Sequence, residues 1–154
     1  MLVKDIMSKD VVTVYETNTI EEVARIFIDK KISGVPVVDS QRKIVGIISE
    51  GDLVFQQKKL NPPVFLSFFD GVIQVGKSAF FDEIKKISAF LVKDLMTKED
   101  LIIAKETADV SEVASLLIEN KVNRIPIVDD ENKVVGIVTR YDIIKANYEK
   151  NKEE

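Results

Sequence analysis

VKDIMSK, from Val3 to Lys9, returns as VKDLMTK, from Val92 to Lys98, with five of the seven positions identical. The correspondence resumes at Thr17 and runs to Leu53 with a shift of ninety, where 14 of 37 positions are identical. One residue inserted between Lys98 and Thr107 accounts for the change of shift. Duplication therefore organises the chain. The first copy covers residues 1–60, a unique connecting segment 61–89 and the second copy 90–148, with a polar tail at 149–154.

Each copy carries one pattern. A short apolar run, VVTVY or LIIA, reads as a strand. A helix follows, opened by Thr19 with Glu22 three residues on, and by Asp109 with Glu112, an arrangement in which cap and acid satisfy each other's backbone N–H. Ile20, Val23, Ala24 and Phe27 share one helical face, as do Val110, Val113, Ala114 and Leu117, so both stripes are core. VPVVD with KIVGIIS, and IPIVDD with KVVGIVT, are β-branched runs separated by SQR and DEN, which predicts a hairpin in each copy. After Asp52 and Asp142 the chain reads as helix again. In the connecting segment Pro62-Pro63 ends the preceding helix and FFDEIKKISAFL predicts another.

Composition narrows the chemistry. With 154 residues, 45% hydrophobic and 31% charged, the chain has a globular composition. Its 22 basic and 26 acidic side chains are interspersed, which argues against nucleic acid. No apolar run approaches the roughly 20 residues that span a bilayer, and MLVKDIMSKD lacks the apolar stretch of a signal peptide, so a cytoplasmic location is expected. Cysteine and histidine are both absent, which removes disulfides, thiolate nucleophiles, the commonest general base and the usual zinc ligands. No catalytic residue and no metal site are expected.

One motif points elsewhere. GVIQVGKS, Gly71 to Ser78, fits the phosphate-loop pattern GxxxxGK[ST]. Such a loop turns successive backbone N–H groups inward, whereas Val72, Ile73 and Val75 are stiff at χ1 and favour extended strand. The segment reads as a strand or spacer and not as a nucleotide-hydrolysing site.

More informative are polar residues recurring beside apolar strands: Ser8 and Thr97, Ser33 and Asn123, Ser49 and Thr139, Asp52 and Asp142. Gly46 to Asp52 and Gly136 to Asp142 share the spacing GxxS/TxxD at a strand-to-helix turn, which places a hydroxyl and a carboxylate three residues apart. A carboxylate accepts from two adjacent hydroxyls, as a ribose presents them. Val12, Ile32 and Ile47, with Ile137 as the counterpart of Ile47, supply apolar walls for a base, and Arg124 or Arg140 can meet phosphate. The same spacing equally describes aspartates that cap the following helices, with the hydroxyls closing the turn.

MSKDVVTV, SGVPVVD and GIISEGD, with MTKEDLIIA, NRIPIVDD and GIVTRYD, resemble the paired motifs of the cystathionine β-synthase (CBS) domain family. The match covers roughly Met1 to Lys59 and Phe90 to Tyr148. It implies an α+β fold of two tandem β-α-β-β-α repeats packed through their sheets with pseudo-two-fold symmetry into a Bateman module, and a disc-shaped homodimer of such modules. It further implies an adenosine-containing ligand, AMP, ADP, ATP or S-adenosylmethionine, in clefts between the repeats, with no required cofactor. By that resemblance Asp52 and Asp142 hold ribose hydroxyls, with Ser49 and Thr139 near ribose or phosphate. Ser8 with Val12, and Thr97 with Ile102, sit beside the base. Ile32 with Ser33, and Val122 with Asn123, line the cleft, and Arg124 contacts phosphate. Gly34 replaces that arginine in the first copy, and Glu50-Gly51 stands where the second has Arg140-Tyr141, so unequal sites are expected. The leading expectation is a stand-alone regulatory, energy-sensing module that acts on an effector protein. The alternatives are a ligand-free dimerisation module and, more remotely, a nucleotide hydrolase.

Overall fold

The computed structural model describes residues 1–53 and 90–152. GVIQVGKS, Pro62-Pro63 and FFDEIKKISAFL up to Ala89 lie outside the described residues. Helix and strand form two compact units that do not follow the two copies. One comprises Val14–Val37 and Gly46–Glu99, the other Met1–Thr13, Val38–Val45 and Asp100–Glu154. The VKDxMxK segment of each copy therefore folds with the body of the other copy.

In the first of these units α1 (Ile20–Lys30) opens with the expected reciprocal cap, Glu22 N–H to Thr19 Oγ1 at 3.2 Å and Thr19 N–H to Glu22 Oε2 at 3.1 Å. Its buried stripe is Ile20, Val23 and Phe27. β1 (Gly34–Val38) and β2 (Ile44–Ser49) form the predicted hairpin, and residues 50–53 are helical. The exchanged segment docks here through α2 (Val92–Leu95), whose Val92 is fully buried. Val92 N–H donates to Asn18 O at 2.8 Å and Ile20 N–H to Phe90 O at 3.1 Å.

The other unit repeats the plan with β3 (Ala104–Lys105), α3 (Val110–Glu119), β4 (Arg124–Val128), β5 (Val134–Thr139) and α4 (Arg140–Lys150). β3 pairs parallel with β4, and β4 antiparallel with β5. Val3 enters this core beside Val113, Leu117, Ile125, Ile127 and Val138, all essentially without exposure. Each large aliphatic side chain buried there contributes about 1.5 to 3 kcal/mol. Val3 N–H completes the docking with a bond to Ala108 O at 2.9 Å. Val38, Val128 and Val134 make a smaller cluster under the hairpin turns. Asp129 shapes one of these turns by accepting from the N–H groups of Glu131 and Lys133, both at 2.9 Å, as Asp39 does for Gln41 and Lys43.

Three local expectations are corrected. VVTVY makes one parallel bridge, Val14 to Val37, and LIIA contributes only Ala104 to β3. A longer parallel ladder would need an N–H from Pro36 or Pro126 in the central strand, and proline has none. Asp109 caps α3 through Ser111, accepting its N–H at 2.9 Å and its hydroxyl at 2.6 Å, and not through a reciprocal bond with Glu112. A carboxylate at the cap repels a carboxylate at the third helical position, whereas Thr19 carries no charge. The helices expected after Asp52 and Asp142 begin earlier, at residues 50 and 140, so both aspartates lie in the first turn.

Candidate functional site

The strand-to-helix turns at the ends of β2 and β5 gather most of the repeated polar residues. At the second, Thr139 is the N-cap of α4. Asp142 Oδ2 accepts both the Thr139 N–H and the Thr139 hydroxyl at 2.7 Å, while Asp142 N–H approaches Thr139 Oγ1 at 3.4 Å. Along β5 the buried residues Val134, Gly136 and Val138 alternate with half-buried Val135, Ile137 and Thr139. Ile137 and Thr139 therefore share a face. Arg124 lies directly across the β4–β5 ladder from Thr139, which puts the two on the same side of the sheet. Ser8, from the exchanged segment, trades backbone hydrogen bonds with Ile137, each 3.0 Å.

Asn123 joins this cluster through its carbonyl, which accepts the Arg140 N–H at 3.3 Å. The Arg140 side chain turns back onto the end of α3, donating from Nε to Val122 O at 3.1 Å and from a terminal nitrogen to Leu117 O at 3.4 Å. It closes the carbonyl end of that helix. Arg124 is thus the arginine set directly across from the hydroxyl–carboxylate pair. Ile102 and Val122 pack against the core beneath.

The matching cluster of the first copy is built alike. Ser49 N–H donates to Asp52 Oδ2 at 2.9 Å and the Ser49 hydroxyl reaches the same oxygen at 3.4 Å. Glu50 N–H donates to Ser33 O at 2.9 Å, and Ile47 and Thr97 exchange backbone bonds of 2.9 Å each. Ile32 precedes Ser33 and donates its N–H to Phe27 O. Val12 is half-buried in the extended stretch after Ser8. Burial raises the pKa of the Asp52 carboxyl from its ordinary value, against the lowering pull of the Ser49 N–H and hydroxyl. The Ser49 hydroxyl contact of 3.4 Å is longer than the 2.7 Å contact of the Thr139 hydroxyl with Asp142.

The capping reading of both aspartates is the one the turn geometry shows. They cap, but every described bond from their turns falls on Oδ2, and among the described hydrogen bonds Oδ1 receives none. In each turn it is Oδ2 that shapes the helix start. Among the described residues no group of three or more His, Cys, Asp or Glu is placed to hold a metal, and no helix is long and apolar enough to cross a membrane. Two contributions escaped the sequence reading. One is the delivery of Ser8 and Thr97 by exchanged segments, and the other is the packing of Met7 and Met96 against Gly136 and Gly46.

A sequence model described as CBS domain matches residues 3–58 and 92–149. Protein MJ1426 of Methanocaldococcus jannaschii is 40% identical over 95% of this chain and 90% of its own length. Three further relatives are longer, and this chain spans 22% to 59% of them. Among solved structures, CBSX2 of Arabidopsis thaliana in complex with AMP superposes with a TM-score of 0.74 at 25% identity, over 97% of this chain and 98% of that one. The CBS domain pair of MJ0100, in complex with 5'-methylthioadenosine and S-adenosyl-L-methionine, gives 0.72 at 29% identity, over 97% and 98% of the two chains.

Proposed function

The chain belongs to the CBS domain family as a tandem pair, and we propose that it is a regulatory module that binds an adenosine-containing ligand at the Ser49–Asp52 and Thr139–Asp142 clusters. The observation that carries this reading is the duplicated hydroxyl–carboxylate turn, its described bonds all on Oδ2, flanked by Ile47 or Ile137. Asp52 and Asp142 take the ribose hydroxyls, and Ser8 and Thr97 lie beside the base with Val12, Ile32, Ile102 and Val122. Arg124 faces phosphate. AMP in CBSX2, and 5'-methylthioadenosine with S-adenosyl-L-methionine in the CBS domain pair of MJ0100, support the adenosine part, which those ligands share. Ligand binding then biases the module between two arrangements, a coupling of about 1 to 3 kcal/mol that an effector protein or a second copy reads. Competition of AMP with ATP for one cluster makes the response an energy sensor.

A homodimer is part of this reading. Tyr141, Ile144 and Tyr148 fall on one side of α4 and are 70%, 65% and 61% exposed, with Ile118 of neighbouring α3 at 71%. An apolar surface of that kind marks a docking face, and a second copy is the occupant we assign. Ile144→Glu is expected to shift the sedimentation of the protein from dimer to monomer. An unchanged dimer removes α4 from the interface.

Thermal melting with millimolar AMP, ATP or S-adenosylmethionine, run beside a phosphate-release assay, tests the function. A ligand at about a hundred times its Kd adds about 2.7 kcal/mol, or roughly 5 to 10 °C for a chain of this size, without turnover. No shift with any of the three leaves the dimerisation module, and phosphate release beyond the protein concentration revives the hydrolase. Asp52→Asn sharpens the assay. A carboxyl whose folded pKa is raised contributes stability that is complete below its unfolded pKa and lost as pH rises through the folded one. At neutral pH the asparagine variant is therefore expected to melt above the parent without ligand, by a margin that vanishes in acid, and to lose the ligand response of the first cluster.

A further inference from the structure

Gly46 and Gly136 are buried inside strands β2 and β5, and neither has a left-handed φ. Glycine in a strand interior is unfavourable, because it loses more chain entropy than alanine and packs nothing. Backbone conformation does not demand it at either position. Space does. A Cβ on Gly136 would meet Met7 at Sδ, at Cγ (2.8 Å) and at Cβ (3.1 Å), and one on Gly46 would lie 2.7 Å from Met96 Sδ and 3.0 Å from Thr97 O. The two methionines occupy the same place in VKDIMSK and VKDLMTK, and each sits one residue before the Ser8 or Thr97 that bonds the residue following the glycine.

We infer that Met7 and Met96 are positioning residues for the ligand clusters: each thioether docks on a bare glycine Cα and sets the depth at which the exchanged segment presents Ser8 or Thr97. This rests on the proposed adenosine site, but the docking itself is legible without any ligand. An unbranched, polarisable side chain suits the task, because it fills the slot above a glycine without β-branch crowding. The docks differ in one respect. At Gly136 the three nearest obstacles are all methionine side chain, whereas at Gly46 they include the Thr97 carbonyl that accepts the Ile47 N–H.

Residue-resolved amide hydrogen exchange, followed by AMP titration, tests the inference. Gly136→Ala is expected to speed exchange at Ser8 and Ile137 by about tenfold or more, the scale of overpacking by one methyl, and to leave Thr97 and Ile47 unchanged. Adding Met7→Ala to Gly136→Ala should return most of that protection. Gly46→Ala should mirror the effect at Thr97 and Ile47, with less recovery from Met96→Ala because the carbonyl clash persists. AMP affinity at each cluster should fall wherever exchange rises. Unchanged protection in Gly136→Ala overturns the inference, as does acceleration spread evenly over both units or AMP affinity that holds while Ser8 exchange rises. If Gly136→Ala does not fold, Met7→Ala alone must loosen Ser8 and Ile137, and failure to do so overturns it equally. Should the parent bind no AMP, the functional reading falls while the exchange experiment still decides the dock.

Discussion

Asp142→Ala is expected to weaken AMP binding at the second-copy cluster about a hundredfold, since two charge-assisted hydrogen bonds of about 1.5 kcal/mol each disappear. Asp52→Ala should leave that affinity within about threefold, the independence expected of clusters that share no hydrogen-bond partner. The asymmetry comes from Arg124, paired across the ladder from Thr139, where the first copy has Gly34, and from Glu50, an acid where the second copy has Arg140. An anionic ligand is repelled by the first set and attracted by the second. Isothermal titration of both variants checks this, and equal, partial losses would remove the inequality of the clusters. Asp142→Ala also deletes half of a helix cap, worth about 1 kcal/mol, which lowers the melting temperature by about 2 to 4 °C. Asp142→Asn separates the two roles. Its amide oxygen still accepts at the turn, so stability is largely kept while the grip on the diol weakens.

Val3→Asp should have the largest effect on stability. Val3 is fully buried among Val113, Leu117, Ile125 and Val138, where an unpaired carboxylate costs several kcal/mol against a total stability of about 5 to 15 kcal/mol. The location of the damage is the sharper test. Although position 3 belongs to the first copy, amides of the second copy, at Val113, Leu117 and Ile125, should lose protection from hydrogen exchange first. Protection lost instead at Ile20, Val23 and Phe27 would contradict the exchange of segments.

Much of the architecture was legible before any coordinates. The stripes Ile20-Val23-Phe27 and Val110-Val113-Leu117 are the buried helix faces, and both hairpins form where the β-branched runs predict them. Thr19 and Glu22 make their cap because both partners are local in sequence. The turn chemistry of Ser49–Asp52 and Thr139–Asp142 was legible for the same reason, three residues being the reach of one helical turn. Arg140 was not. Its spacing fits a phosphate contact, but the side chain satisfies carbonyls at Leu117 and Val122, a choice set by where α3 happens to end.

By itself the sequence determined that there are two copies, which faces of each helix are buried, and which hydroxyl stands three residues before which carboxylate. Periodicity and short-range hydrogen bonding decide all of these, and both act within a few residues. Only the tertiary structure decided which body each VKDxMxK segment joins. The copies are so alike that Val3 and Val92 are each fully buried with the body of the other copy, and no local preference distinguishes Val23, 20 residues from Val3, from Val113, 110 residues away. Long-range packing settled that choice, and it brings Ser8 to Ile137 and Thr97 to Ile47.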